Sequence, residues 1–334
     1  MDTQPFKEDL RAYALQNGAD LLGFANIDRF EHAPVEFHPR NIYPQVRTVV
    51  VLGSRVLRGL MESLDAGMYI PYNAHGYGGI NINFMRNAMQ RVACWIEDHG
   101  HSAVPVIQWT GTPHQEPIMC HRTAALAAGL GEFGWSKVFL TKRFGPLQRF
   151  GIVLTDADLP SDPLQVGQIC DGCQACVRAC PSHAIPAEAA VEFAMAGQTI
   201  RHAKVDMYLC TKAHHGGTRE THPRPPADFD IAAIDAKYAA LRRESKDDTS
   251  DYVLGHKASA EVVAKYPHPV FGLVGMLGNS AAYCGAKGCF RACLDHLERR
   301  GLLDREFARQ YRQEGGSASV AATRPHEGAE VYRE

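Results

Sequence analysis

Four cysteines crowd into one short segment, Ile169–Pro181, which reads ICDGCQACVRACP. Cys170, Cys173, Cys176 and Cys180 are separated by two, two and three residues, and Pro181 follows the last. Three thiolates at that spacing can wrap a loop around one iron–sulfur cube, while the fourth, carried onto the next turn, points at a different cluster. A 4Fe-4S cube takes four ligands, so the run alone is incomplete. It needs one more cysteine for the first cluster and three for the second. The chain supplies Cys210, then Cys284, Cys289 and Cys293 in CGAKGCFRAC, and the count closes at eight. We expect Cys170, Cys173, Cys176 and Cys293 on one 4Fe-4S cluster, and Cys180, Cys210, Cys284 and Cys289 on the other. Structural zinc sites present paired knuckles instead.

Composition narrows the setting. The chain has 334 residues, 45% hydrophobic and 22% charged, with a net charge of −2, which are the values of a globular protein with no general basic field. A nucleic-acid partner is therefore not expected. The first residues lack the basic segment, apolar run and cleavage site of a secretory signal, and no stretch reaches the roughly 18 apolar residues of a membrane span. A cytoplasmic protein with no membrane partner is expected, and there reduced thiols read as metal ligands before disulfides. Cys94 and Cys120, left over, are expected to be small packed residues.

Periodicity divides the chain. Phe6, Leu10 and Tyr13 share one helical face; Leu21–Ile27, Val46–Leu57, Ser102–Ile107 and Arg149–Thr155 read as strands. Ile82, Met85, Met89, Val92 and Ile96 mark a long helix, and another is expected around Ile118–Ala128. Alternating strands and helices predict a layered α/β domain over 1–160. From 161 to 312 short helices and loops are expected around the cysteines, with an irregular linker over 214–230 and a mobile tail over 313–334. His214 and His215 read as a solvated loop pair.

Residues 124–163, AALAAGLGEFGWSKVFLTKRFGPLQRFGIVLTDADLPSDP, sharpen the expectation. The order Ala127–Glu132, Phe139–Thr141, Gly145–Pro146 and Thr155–Pro163 resembles the reductive dehalogenases and the related epoxyqueuosine reductases. Upstream Gly100–Pro105, and downstream Gly197–Cys210 with Asp206 before the isolated cysteine, extend that resemblance over about residues 75–295. It implies a nitroreductase-like α/β (α+β) domain that binds a corrinoid of the cobalamin type, followed by a small ferredoxin-like two-cluster domain. It also implies a reductase fed by an external low-potential donor of ferredoxin or flavodoxin type, acting on a small-molecule substrate.

The pattern is not followed throughout. Trp135 stands where dehalogenases often carry arginine, closer to the epoxyqueuosine reductases, yet the catalytic aspartate of the latter is missing from His114-Gln115-Glu116-Pro117. Cys293 is followed by Leu294 and not proline, and no C-terminal helical-repeat extension follows, which argues against transfer RNA as substrate.

A proton donor must reach the substrate. Tyr77, in HGYGGINI before the long helix, is the first candidate by resemblance; Glu116 and His114 are the others. Lys137 and Arg149 are candidates for the corrinoid's peripheral groups or an anionic substrate. Gly129, Gly131 and Gly134 are candidates for letting backbone approach the cofactor. The rival readings are an iron–sulfur electron carrier without corrinoid and a zinc-stapled binding module.

Overall fold

An unbroken apolar run such as Val49–Leu52 has no polar face, so a strand built from it must be covered on both sides. In the computed structural model, which describes residues 3–106, 119–245, 247–267, 282–284, 287–304 and 307, that run is the heart of β2 (Thr48–Arg55). β2 pairs with β1 (Leu21–Asn26) on one edge and β6 (Gln148–Thr155) on the other, and β3 (Ala103–Val106) adds beyond β6. All three pairings are antiparallel, with Val49 opposite Leu154 and Val51 opposite Ile152. The architecture is mixed α/β with an antiparallel sheet.

Alternation sorts the side chains. Val49, Val51, Ile152 and Leu154 pack on one face with α5 (His121–Ala127), whose Ala124, Ala125, Leu126 and Ala127 are fully buried. Phe24, Val50, Leu52 and Val153 pack on the other with Leu10 of α1 (Gln4–Gln16) and Met89, Val92 and Ile96 of α4 (Arg86–Asp98). Each such side chain removed from water contributes about 1.5–3 kcal/mol.

The stripe expected from Ile82 onward begins differently. A π-helical turn, Ile80–Met85, precedes α4. Its wider turn puts Ile80 in the core and leaves Ile82 36% exposed. Before it lie α2 (Arg58–Asp65) and α3 (Ile70–His75), which pack Met61, Leu64 and Tyr72 against Tyr283 and Leu294.

The second half is more regular than the expected loops. After β4 (Glu132–Phe133) and β5 (Phe139–Leu140) comes the cysteine loop with a single turn, α6 (Ala175–Arg178). A hairpin follows, β7 (Ala190–Met195) and β8 (Gln198–Ala203), closed by Ala196 and Gly197, both at positive φ. Then come α7 (Met207–His214), α8 (Ala232–Arg242), α9 (Asp248–Lys265) and α10 (Cys289–Arg299).

The stretch 214–230 is irregular but not loose. His222 Nε2 lies 2.9 Å from the Tyr266 carbonyl, and Phe229 stacks on Tyr266 at 4.7 Å. Side-chain-to-backbone bonds do there what a helix would do elsewhere. Ion pairs tie distant segments: Asp162 accepts from Lys7 (2.7 Å) and Arg11 (3.0 Å), and buried Arg58 meets Glu298 on α10 at 2.8 Å. Among the described residues no helix is long and apolar enough to cross a membrane.

Candidate functional site

The thiols adjoin one another in two overlapping neighbourhoods: Cys170, Cys289 and Cys293 share one apolar cluster, and Cys176, Cys180, Cys210 and Cys289 another. Cys293 lies one turn into α10 and packs with Cys170 around Val138, Leu140, Ile169 and Leu297. Burial, then the proximity of Cys170, Cys176, Cys289 and Cys173, raises its thiol well above the usual range. Cys176 is raised by burial and by Cys170 and Cys173, and Cys173 by burial, with Asp171 and Cys170 adding to it. In the other neighbourhood, burial and Cys180 push Cys210 up to about 11. Burial likewise raises Cys284, helped by Cys289, Cys210 and Cys180, and raises Cys289, helped by Cys210, Cys180 and Cys176. Thiols this crowded resist ionising together, and a cationic group that draws them displaces their protons. The chemistry of this donor set, eight sulfurs in two adjoining and overlapping groups, fits a pair of cubane clusters.

Backbone holds the ligand loops in place. The buried Glu132 carboxylate accepts from three successive amides: Gln168 at 2.7 Å, Ile169 at 2.9 Å and Cys170 at 2.6 Å. The Trp135 amide donates to Cys170 Sγ (3.4 Å), and the Ala184 amide to Cys180 Sγ (3.3 Å). On the outer side Asp171 meets His296 at 2.9 Å and Arg300 at 3.1 Å, binding the loop to α10. Asp206 caps α7 through the Leu209 amide and pairs with Arg242 at 2.7 Å, which fixes the helix carrying Cys210.

Beside the second thiol group lies a polar cluster. Burial raises the Tyr72 hydroxyl, Arg149 opposes that shift, and Cys289 and Cys284 add to it. Arg149 Nη2 donates to Tyr72 at 3.2 Å, and the guanidinium lies 5.6 Å from the ring centres of both Tyr77 and Phe290. Its Nε is buried with no hydrogen-bond partner among the described residues, which suits an acceptor brought by a ligand. Tyr77 meets His214 edge-on, His214 meets His215, and His215 overlaps His256 at 4.0 Å. His214 is pushed down to about 3 by burial, then by Arg149 and His256, so it is neutral near pH 7.

Other expected residues find different settings. His214 and His215 are not a solvated loop pair: His214 ends α7 and His215 is 5% exposed, because α9 packs across them. Cys94 and Cys120 are exposed rather than packed. Gly129 is the left-handed residue (φ +68) that ends α5, and a side chain there would run into the Pro163 carbonyl; one at Gly131 would meet the Leu140 carbonyl, and one at Gly134 the Leu140 side chain. The close approach these three glycines permit is thus of chain to chain. Lys137 pairs with Asp248 at 3.8 Å, and its carbonyl accepts from Arg122. His114 and Glu116 lie outside the described residues. Glu132 escaped the sequence reading, although a lone charge ending the small apolar run Ala127–Gly131 was the available signal. The His215–His256 contact carried none.

A tetrachloroethene reductive dehalogenase of Desulfitobacterium hafniense is 33% identical over 113 residues, 33% of this chain and 19% of that protein. The epoxyqueuosine reductase of Vibrio cholerae is 24% identical over 222 residues, 58% of this chain and 57% of that protein. The chain thus has homologues among both reductive dehalogenases and epoxyqueuosine reductases, and spans less than two thirds of either relative. A solved epoxyqueuosine reductase with an epoxyqueuosine-modified tRNA stem loop is similar over 66% of this chain and 60% of that one, with 17% identity and a TM-score of 0.43. No protein-family model matches the chain.

Proposed function

We propose that the chain is an oxidoreductase, a corrinoid-dependent reductase of reductive-dehalogenase type, in which electrons from an external low-potential donor pass through two 4Fe-4S clusters to a cobalt centre and a small-molecule substrate. The observation that carries this reading is the cluster of Arg149, Tyr72 and Tyr77 packed on Phe290, the residue that follows Cys289 on α10. An electron path through sulfur thereby ends beside a proton donor and a cation. The nitroreductase-like and ferredoxin-like description of the two halves belongs to the same reading.

Each group of residues has a task. Cys170, Cys173, Cys176 and Cys293 hold the outer cluster, and Cys180, Cys210, Cys284 and Cys289 the inner one. A bound corrinoid supplies a strongly reducing metal centre that cleaves or reduces the substrate. Tyr77 holds a proton at its hydroxyl within this polar pocket and delivers it as the substrate is reduced. Arg149 and Lys137 bind acceptor groups of the corrinoid or an anionic substrate, and Arg149 keeps the Tyr77 ring oriented through its face. His114 and Glu116 are further proton-donor candidates.

A second reading has a specific basis: the Vibrio cholerae epoxyqueuosine reductase matches over more of this chain than the dehalogenase does. A nucleic-acid partner, set aside on net charge, is accordingly restored as an outcome to test. Anaerobic reconstitution with iron, sulfide and cobalamin distinguishes the readings. Corrinoid retained in stoichiometric amount through gel filtration, with about eight irons per chain, is expected. Two clusters without retained cobalt would leave an electron carrier. Turnover of an epoxyqueuosine stem loop but of no halogenated aromatic would favour the second reading.

A further inference from the structure

Glu132 is only 3% exposed, yet among the described residues no lysine, arginine or histidine pairs with it. A buried carboxylate needs compensation, and this one takes it from three consecutive backbone amides, those of Gln168, Ile169 and Cys170. The last belongs to a cysteine of the outer group. In cysteine-ligated clusters, amides directed at the sulfurs raise the reduction potential, as does nearby positive charge. Here three amides at the entry to the ligand loop are turned the other way, onto a carboxylate. Only three residues along from Glu132, the Trp135 amide donates to Cys170 Sγ. One short segment therefore controls both what Cys170 receives and what it is denied.

We propose that Glu132 is a positioning residue for the outer cluster. It fixes the entry of the Cys170 loop, withholds three amides from the cluster sulfurs and places a negative charge beside them, which holds that cluster's one-electron potential low. The carboxylate nearest the inner thiols, Asp206, accepts one amide, that of Leu209, and is paired with Arg242, so its charge is compensated and the inner cluster serves as an internal reference. This inference rests on the two-cluster reading above.

The test is an EPR-monitored redox titration of the reconstituted protein, with iron and sulfide content measured on the same samples. In Glu132→Gln the charge is removed and one amide acceptor is replaced by a donor. The expected result is two retained clusters, with one midpoint shifted upward and the other unmoved. Two midpoints identical to wild type, or both moved together, would overturn the inference. Should the Gln variant lose a cluster, Glu132→Asp decides, since it keeps the charge and part of the clamp. Two clusters with midpoints near wild type in the Asp variant support Glu132; loss of a cluster there, or displacement of both midpoints, refutes it. Wild-type protein without clusters would bring down the underlying reading as well, whereas wild type with two clusters and an unaffected Gln variant would bring down only this inference.

Discussion

The Tyr77 ring meets the His214 imidazole edge-on, with 5.1 Å between ring centres. Tyr77 comes from a glycine-rich turn ahead of the π-helical segment, and His214 from the end of the helix that carries Cys210. The contact brings the proposed proton donor to within one helix of the inner thiols.

Removing the Tyr77 hydroxyl should therefore separate proton delivery from electron storage. Tyr77→Phe keeps the ring, its contact with His214 and its cation–π partner Arg149. Turnover should fall on the order of 10²-fold or more, while iron content and retained corrinoid match wild type. Unchanged turnover would remove Tyr77 from the chemistry.

Cys293 shares its hydrophobic surroundings with Cys170 and not with Cys180. Cys293→Ala is accordingly expected to cost the outer cluster alone, taking iron from about eight to about four per chain. A variant that still held eight would exclude Cys293 as a ligand.

Asp206 has two duties, the cap of α7 and the pair with Arg242. Asp206→Ala should lower stability by about 1–2 kcal/mol in denaturant unfolding. Because Cys210 lies on the first turn of that helix, iron should leave faster under a chelator, and only about half of it. Equal release from both clusters would show that the cap is not specific to the inner one.

His121 is buried at the start of α5, with Nδ1 3.2 Å from the Met119 carbonyl, and burial pushes its pKa down to about 4. The folded chain thus binds this proton later than the unfolded chain, whose histidine titrates near 6.5. The unfolded state takes up more protons between those values, so stability falls as pH drops from about 6.5 to about 4, by roughly 3 kcal/mol. His121→Asn should flatten that part of a stability–pH curve measured by denaturant unfolding; an unaltered slope would assign the acid sensitivity elsewhere.

Legibility varied with the range of the interactions involved. The strands were plain because Val49–Leu52 and Ile152–Leu154 must be buried wherever they lie. The π-helical turn was not, since Ile80 and Ile82 are equally apolar and only the backbone hydrogen-bond pattern decides which of them turns inward. The glycines of the Ala127–Glu132 motif signalled close approach, but not that Pro163 and Leu140 would be what approaches. Glu132 was visible as a charge and silent as a clamp, because its partners are backbone amides, which every residue but proline carries.

Cysteine spacing by itself offered eight candidate ligands and the expectation that the first run of four is divided between two centres. A loop with thiols at intervals of two and three residues can present only three of them to a common centre, a limit set by local geometry. Which distant cysteine lies near the first run was decided by the tertiary structure: α10 packs against Val138, Leu140 and Ile169, and so brings Cys293 and Cys289 into one apolar cluster with Cys170. The packing of α7 on α9, and of His214 on Tyr77, joins Tyr77, Arg149, His214 and His256. No spacing rule encodes that meeting, because it depends on which apolar faces bury one another, and those faces are interchangeable in sequence.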